Sequence, residues 1–137
     1  MKLELVYVDR SDAVFDQLQA LADDPRTDTS GGTRKGATVL DGCDLVGVNQ
    51  LGTRVMTLAI ARGAAEPLRE LWIMGALGGN PRAPLTKPVL ELIELEAQKT
   101  FDVIAVQTKR RGLIQQLMQR GYTADAVTLR KRLHDVH

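Results

Sequence analysis

The stretch from residue 68 to residue 98, LRELWIMGALGGNPRAPLTKPVLELIELEAQ, constrains the fold of this chain more than any other. Residues 71–74 form a short apolar run that Gly75, Gly78 and Gly79 close, which predicts a buried strand. After a loop rich in glycine and proline, apolar residues recur every three or four positions from 89 to 97, with Thr86 as the expected N-cap, and this predicts a helix. A strand–loop–helix junction of this kind offers backbone N–H groups and a positive helix end to an anion, although most such junctions bind no ligand.

Length and composition predict one soluble domain. A chain of 137 residues can bury a single core without metals or disulfides, so we expect one domain over residues 1–137. The net charge is +1, which argues against a surface built as a whole for nucleic acid. The single cysteine, Cys43, is expected to be a buried thiol rather than a nucleophile. No transmembrane stretch or signal-peptide core is present, so a cytoplasmic protein with no membrane partner is expected.

The N-terminal third predicts a strand, a helix and a loop. Residues 2–8 alternate as a strand does, and Ser11 is expected to cap a helix that ends before Pro25. Residues 25–36 are polar and rich in glycine, so we expect a flexible loop there. Its GGTRKG sequence does not have the spacing of a nucleotide-binding phosphate loop, so we predict no nucleotide hydrolysis from it.

The middle of the chain predicts a meander of antiparallel strands. A short strand at 38–40 is followed by the turn dipeptide Asp41-Gly42 and by strands at 44–50 and 53–62. The strand at 53–62 is apolar on both faces, which indicates a central position in the sheet.

The C-terminal part continues with a helix over 86–99, a strand over 101–108 that should pair in parallel, and a helix from Arg111 that Gly121 ends. The last strand is expected at 125–133, with an unstructured tail at 134–137. The order predicts an α/β (α+β) fold with a mixed, mostly antiparallel central sheet and helices on both of its faces.

This order resembles the GNAT superfamily of acyl-CoA-dependent N-acetyltransferases. LWIMGALGG looks like the family's fourth strand, and PVLELIELEAQKTFDVIAVQT looks like the helix and fifth strand that follow it. RRGLIQQLMQRGYTADAVTLRKRL looks like the final helix, its Gly-aromatic end and the last strand. The chain is most similar to the short GNAT-like proteins of tailed phages, some of them acetyltransferases and some virion proteins. It resembles the family well over about residues 37–133 and only loosely before them.

The resemblance implies an acetyl-CoA site between the fourth and fifth strands. In the family these strands separate, and the pantetheine arm lies between them against the fourth strand, while the pyrophosphate lies at the start of the next helix. The residues that would bind the cofactor are therefore Ile73, Met74, Gly75, Ala76, Gly78, Gly79, Arg82 and Lys87. The reaction implied is attack of an amine on the thioester.

The positions that carry catalysis in the family differ here. The tyrosine that protonates the leaving thiolate corresponds to Leu117, whereas Tyr122 belongs to the Gly-aromatic pair and is expected in the core. The general base of the family is often a glutamate on the fourth strand, and Glu70 is the only candidate here. Glu70 can equally be a solvated charge at the strand end. Three prolines each remove a backbone donor from the loop between strand and helix. No catalytic residue is therefore assigned.

Two functions follow from the resemblance. One is an N-acyltransferase that uses acyl-CoA and an amine acceptor. The other is a non-catalytic protein that binds protein partners in an assembly such as a virion. If a phage encodes the chain, the expected location is the host cytoplasm or the virion. In the second case side chains should fill the space between the two strands. Two basic runs, at 109–111 and 130–132, raise nucleic acid as a third partner, but aromatic residues make up only 4% of the chain and we expect none to be bound. A metal site at His134 and His137 is not expected.

Overall fold

A computed structural model describes residues 2–10, 13–78 and 86–134. In these ranges the strands are β1 (Leu3–Val8), β2 (Asp44–Gln50), β3 (Thr53–Arg62), β4 (Glu70–Gly78) and β5 (Val103–Val106). The helices are α1 (Val14–Asp23), α2 (Gly36–Val39), α3 (Thr86–Ala97) and α4 (Arg111–Gln119). The predicted cap Ser11, the predicted binding residues Gly79 and Arg82, and tail residues 135–137 lie outside the described ranges.

The five strands form one sheet in chain order, from β1 at one edge to β5 at the other. The pairings from β1 to β4 are antiparallel, and β4 pairs with β5 in parallel across the α3 connection. Leu51 and Gly52 both have positive φ, which is the geometry of a tight turn between antiparallel strands. The predicted meander and the central position of β3 are confirmed.

Helices cover both faces of this sheet. On one face α3 contributes Val89, Ile93 and Ala97 to a core cluster that contains Val48 and Leu58. On the other face α1 and the residue after α2 contribute Leu18 and Leu40 to a cluster with Leu45, Cys43 and Ala59. The predicted fold class, a mixed and mostly antiparallel sheet between helices, is confirmed.

The predicted strand at residues 38–40 is wrong, because α2 occupies this position. The backbone N–H groups of Val39 and Leu40 donate to the carbonyls of Lys35 and Gly36, as in a helical turn. Gly36 lies against the backbone carbonyl of Gln19, a contact that leaves no room for a Cβ atom. The packing of this turn on α1 overrides the strand preference of Thr38 and Val39, since β propensity depends on context.

The predicted last strand at 125–133 is also wrong. Residues 123–132 belong to no strand or helix, and Val127, Leu129 and Leu133 are 82%, 89% and 79% exposed. Arg130 and Arg132 donate to the carbonyls of Thr29 and Gly31, so this segment lies against a loop. Alternation alone predicts a strand, but residues 125–133 form no ladder with either edge strand, β1 or β5.

The end of α4 follows the prediction closely. Gly121 has a φ of +93°, its N–H donates to Met118, and the N–H of Tyr122 donates to Leu117. This pair of bonds is the Schellman motif that glycine favours. Leu117 is buried, whereas the neighbouring Met118 is 54% exposed.

One smaller difference concerns the central strand–loop–helix. β4 runs from Glu70 to Gly78, close to the LWIMGALGG segment matched to the fourth strand, and Gly75 lies opposite Ala59 of β3. Thr86 is the first residue of α3 rather than its cap. No helix in the described ranges has both the length and the apolar content that a membrane span needs.

Candidate functional site

β4 and β5 separate partway along β4. Their ladder runs from the pair Glu70–Val103 to the pair Ile73–Val106, and β4 then continues for five residues without β5. On the other side of β4, Ile73 pairs with Ile60 and Gly75 with Ala59, so Met74 is an extra residue in a β-bulge. A bulge bends its strand and increases the local twist. The bulge therefore lies where β4 leaves β5.

A cleft of about 150 Å³ opens at this separation. Its floor is the segment of β4 that carries the bulge, and its other walls come from the end of β5, the start of α4, and α1 with the loop after it. The lining residues are Leu18, Leu21, Ala22, Thr27, Ile73, Met74, Gly75, Ala76, Val106, Gln107, Thr108, Arg110 and Leu113.

Four of the predicted binding residues line this cleft, namely Ile73, Met74, Gly75 and Ala76. Gly78 lies at the end of β4 with a φ of +113°, and a Cβ atom there would come within 2.7 Å of the Val55 carbonyl oxygen. The close pairing of β4 with β3 is therefore enough to require this glycine.

Lys87 lies elsewhere, in a second and larger cavity of about 620 Å³. This cavity lies between the start of α3 and the end of α4, and it is lined by Thr86, Lys87, Leu90, Gln116, Gln119 and Arg120. In the described part of the chain the two linings share no residue, so the structure does not bring Lys87 together with the β4 residues in one cavity.

Tyr122 and Glu70 both lie outside the lining of the cleft, and both side chains form hydrogen bonds elsewhere. Tyr122 donates to Glu94 across 3.0 Å, and burial together with this bond raises the pKa of the phenol above its ordinary value. Arg120 donates to both carboxylate oxygens of Glu94, at 2.6 and 3.2 Å, and so lowers the pKa of Glu94. Glu70, at the other end of β4, accepts a bond from the Ala64 N–H at 3.2 Å.

The chemistry available in the cleft follows from its polar residues. Of the lining in the described ranges, Arg110 is the one ionisable group, beside Thr27, Gln107 and Thr108. Threonine hydroxyls and amides can orient a ligand by hydrogen bonds, but they cannot act as a general base near neutral pH. At the position of the family's tyrosine, Leu117 is buried and has no ionisable group.

Sequence reasoning missed Thr27, Gln107, Thr108 and Arg110. The last three follow β5 directly. Polar residues just after a parallel strand often line a binding site, so this position in the sequence could have identified them. The position of Thr27 had no such signal, because it depends on the way the loop after α1 folds.

That loop is organised around the buried carboxylate of Asp28. It accepts bonds from Ser30 N–H at 2.8 Å, Ser30 O–H at 2.6 Å and Gly32 N–H at 2.8 Å, and the Ser30 hydroxyl in particular lowers the pKa of Asp28. A carboxylate of the chain itself thus occupies two of the loop's backbone donors. Mobility of residues 25–36 stays a prediction.

In the described ranges no three His, Cys, Asp or Glu side chains lie close enough to hold a metal ion. Because His137 is outside these ranges, the structure does not test the pair His134 and His137.

No protein-family model matches the chain, and no curated protein matches it in sequence. Comparison with solved structures, in contrast, reveals the fold. A ribosomal-protein-alanine N-acetyltransferase from Brucella melitensis biovar Abortus 2308 superposes with a TM-score of 0.61 at 15% identity, over 96% of this chain and 100% of that one. The chain has the GNAT fold.

Two further structures share it. An aminoglycoside acetyltransferase from an uncultured soil metagenomic sample has a TM-score of 0.55 at 20% identity, over 98% of this chain and 100% of that one. The aminoglycoside N-acetyltransferase AAC(6′)-Iy, in complex with CoA, has a TM-score of 0.50 at 12% identity, over 96% and 95% of the two chains. At these identities the likeness establishes the fold and not the reaction.

Proposed function

We propose that this chain binds an acyl-CoA, with acetyl-CoA as the expected donor, in the cleft between β4 and β5 and transfers the acyl group to an amine. The observation that carries the proposal is the separation of the two strands after the pair Ile73–Val106. This separation exposes backbone groups of β4 in an open cleft, where an extended amide-containing ligand can pair with them as an added strand does.

The residues of the cleft fit the pantetheine part of such a ligand. In the described strands Met74 has no partner on β3 or β5, so its backbone groups can pair with an amide of the ligand. Gly75 and Ala76 place little bulk beside that backbone, and Thr108 and Gln107 add polar groups on the opposite wall. A bound acyl-CoA supplies an activated thioester, and the chain's contribution is to position it.

No fixed base is assigned to the reaction. Because the described lining has Arg110 as its only ionisable group, the acceptor amine must lose its proton to water or reach the cleft already neutral. We expect a rate that rises with pH as the acceptor amine loses its proton, without a second pKa from the protein.

The non-catalytic alternative rests on the lack of an acid–base group in the described lining, and on the buried Leu117 at the position of the family's tyrosine. It predicts a space between the strands filled by side chains, and the open cleft counts against it. Similarity to the short GNAT-like proteins of tailed phages stays a prediction.

Calorimetric titration with acetyl-CoA tests the proposal, with Ala76→Trp as the decisive variant. Ala76 lines the cleft and is exposed, so an indole there occupies the cleft without disturbing the core. Ala65→Trp is the matched control, because Ala65 is an exposed residue of the turn between β3 and β4. We expect binding that Ala76→Trp weakens by about tenfold or more and the control leaves unchanged. No heat with the unmodified chain, or equal loss in both variants, would contradict the proposal.

A further inference from the structure

Two basic runs that are distant in sequence, 109–111 and 130–132, meet at the loop formed by residues 24–35. Lys109 donates to the Pro25 carbonyl at 2.8 Å, Arg130 to the Thr29 carbonyl at 3.0 Å and Arg132 to the Gly31 carbonyl at 3.0 Å. The loop adds cations of its own. We call the resulting group the basic surface: Arg34, Lys35, Lys109, Arg110, Arg111, Arg130, Lys131 and Arg132, all exposed.

Most of this charge is not neutralised by the chain. In the described ranges Arg34, Lys35, Arg110, Arg111 and Lys131 have no acidic partner within ion-pair distance. Nearby carboxylates are already engaged, since Asp24 pairs with Arg26, and Asp28 is buried and bonded to Ser30 and Gly32. The basic surface contains eight of the 18 Lys and Arg residues, although the whole chain has a net charge of only +1. It therefore fits an anionic partner.

An apolar row runs through the same surface. Val127, Leu129 and Leu133 lie on the segment that also carries Arg130, Lys131 and Arg132, and this segment is paired with no described strand. Leu129 is 89% exposed although it lies next to Arg130. Exposed apolar side chains that cluster on one segment, unlike singly scattered ones, often mark a surface that a partner covers.

We propose that the basic surface and its apolar row bind an acidic polypeptide segment that alternates carboxylate and aliphatic side chains. Carboxylates would meet the guanidinium and ammonium groups, and aliphatic side chains would cover Val127 and Leu129. Because this segment pairs with no described strand, its backbone groups are open to β-type pairing with such a peptide. A nucleic acid would use the charge but not the aliphatic row, and this surface has no aromatic side chain for base stacking.

The proposal is independent of acyl-CoA binding, so either can fail alone. Where both hold, the acceptor amine belongs to the bound polypeptide, because Arg110 and Thr27 place the cleft beside the basic surface. This surface also disfavours a polycationic acceptor, whose charges it would repel.

Fluorescence anisotropy with a labelled 12-residue peptide of alternating Glu and Val or Leu tests the inference, against the same peptide with Gln for Glu and a single-stranded oligonucleotide of equal charge. The decisive variant is R34E with K131E, since neither side chain has a partner among the described residues. The control, R62E with K99E, makes the same charge change away from the basic surface, and its folding is checked by circular dichroism because Arg62 lies over the Phe101 ring and Lys99 pairs with Glu96.

We expect the acidic peptide to bind at least about tenfold more tightly than the Gln peptide, with a loss of about tenfold in R34E/K131E and little change in the control. V127S with L129S should weaken acidic-peptide binding by about fivefold. The proposal is overturned if the oligonucleotide binds more tightly than the acidic peptide and V127S/L129S does not change its affinity. It is also overturned if no peptide binds, or if sedimentation reveals a dimer that buries this surface.

Discussion

Ile73 and Val106 are the last residues that join β4 to β5, and the next residue of β4, Met74, is the extra residue of a bulge against β3. The two features act together. Pairing on one side of β4 ends where its pairing on the other side becomes irregular, so the backbone there is available to a ligand. The candidate site therefore arises from a backbone irregularity rather than from a set of reactive side chains.

Lys87 provides a test of where the nucleotide part of a bound acyl-CoA lies. It is in the first turn of α3, beside Thr86 in the larger cavity. Because a cation at a helix start attracts phosphate, Lys87→Ala should weaken acetyl-CoA about fivefold, equal to about 1 kcal/mol, and leave S-acetyl-pantetheine unaffected. Calorimetry with both ligands measures this, with Lys99→Ala as the control beyond the other end of α3. Equal weakening of both ligands would place Lys87 outside the phosphate site.

Glu94 should stabilise the packing of α4 on α3 through its bonds with Arg120 and Tyr122. Both side chains of the ion pair are partly buried, at 32% and 22% exposure, so Glu94→Gln should lower the free energy of unfolding by about 1–2 kcal/mol. Glu96→Gln on the same helix is the control. Its partner Lys99 and Glu96 itself are mostly exposed, and the change should cost less than about 0.5 kcal/mol. Urea denaturation compares the two, and equal effects would contradict the assignment.

Asp28 should make stability depend on pH at the acid end. The Ser30 hydroxyl above all, with backbone bonds from Ser30 and Gly32, lowers the pKa of Asp28 in the folded chain below 3.8. A lowered carboxyl pKa gives stability that is complete above the unfolded value and is lost as pH falls towards the folded value. Asp28→Asn should therefore cost about 1–2 kcal/mol at pH 7, and the difference from the parent chain should shrink below about pH 4. Denaturation across this pH range measures it, with the exposed Asp16→Asn as control, and a constant difference would contradict the mechanism.

Cys43 should be unreactive in the folded chain. It is 1% exposed, and burial raises the pKa of its thiol above 9.0, which leaves little thiolate for reaction. Ellman's reagent should label one thiol per chain in guanidinium chloride, and in buffer only at the rate of unfolding. Complete labelling of the native protein within the mixing time would show that Cys43 is accessible.

Local patterns were enough for most of the fold. The spacing of apolar residues, every two positions in strands and every three or four in helices, predicted the elements from β2 to α4. These elements have continuous apolar faces, and the turns between them contain glycine. The resemblance to the GNAT superfamily then assigned Ile73, Met74, Gly75 and Ala76 to the cofactor site, and all four line the cleft. The bulge at Met74 had no sequence signal, since it depends on how β3 and β4 pair.

Tertiary structure decided what the local patterns could not. Thr38 and Val39 have strand preference, but the close approach of Gly36 to α1 makes that segment helical. Residues 125–133 alternate like a strand, yet Arg130 and Arg132 bind loop carbonyls and the segment joins no sheet. The sequence by itself determined which faces are apolar, because that depends on neighbours three or four positions apart. Only the tertiary structure decided which backbone and charged groups meet, because those contacts join residues such as Thr29 and Arg130 that are distant in the chain.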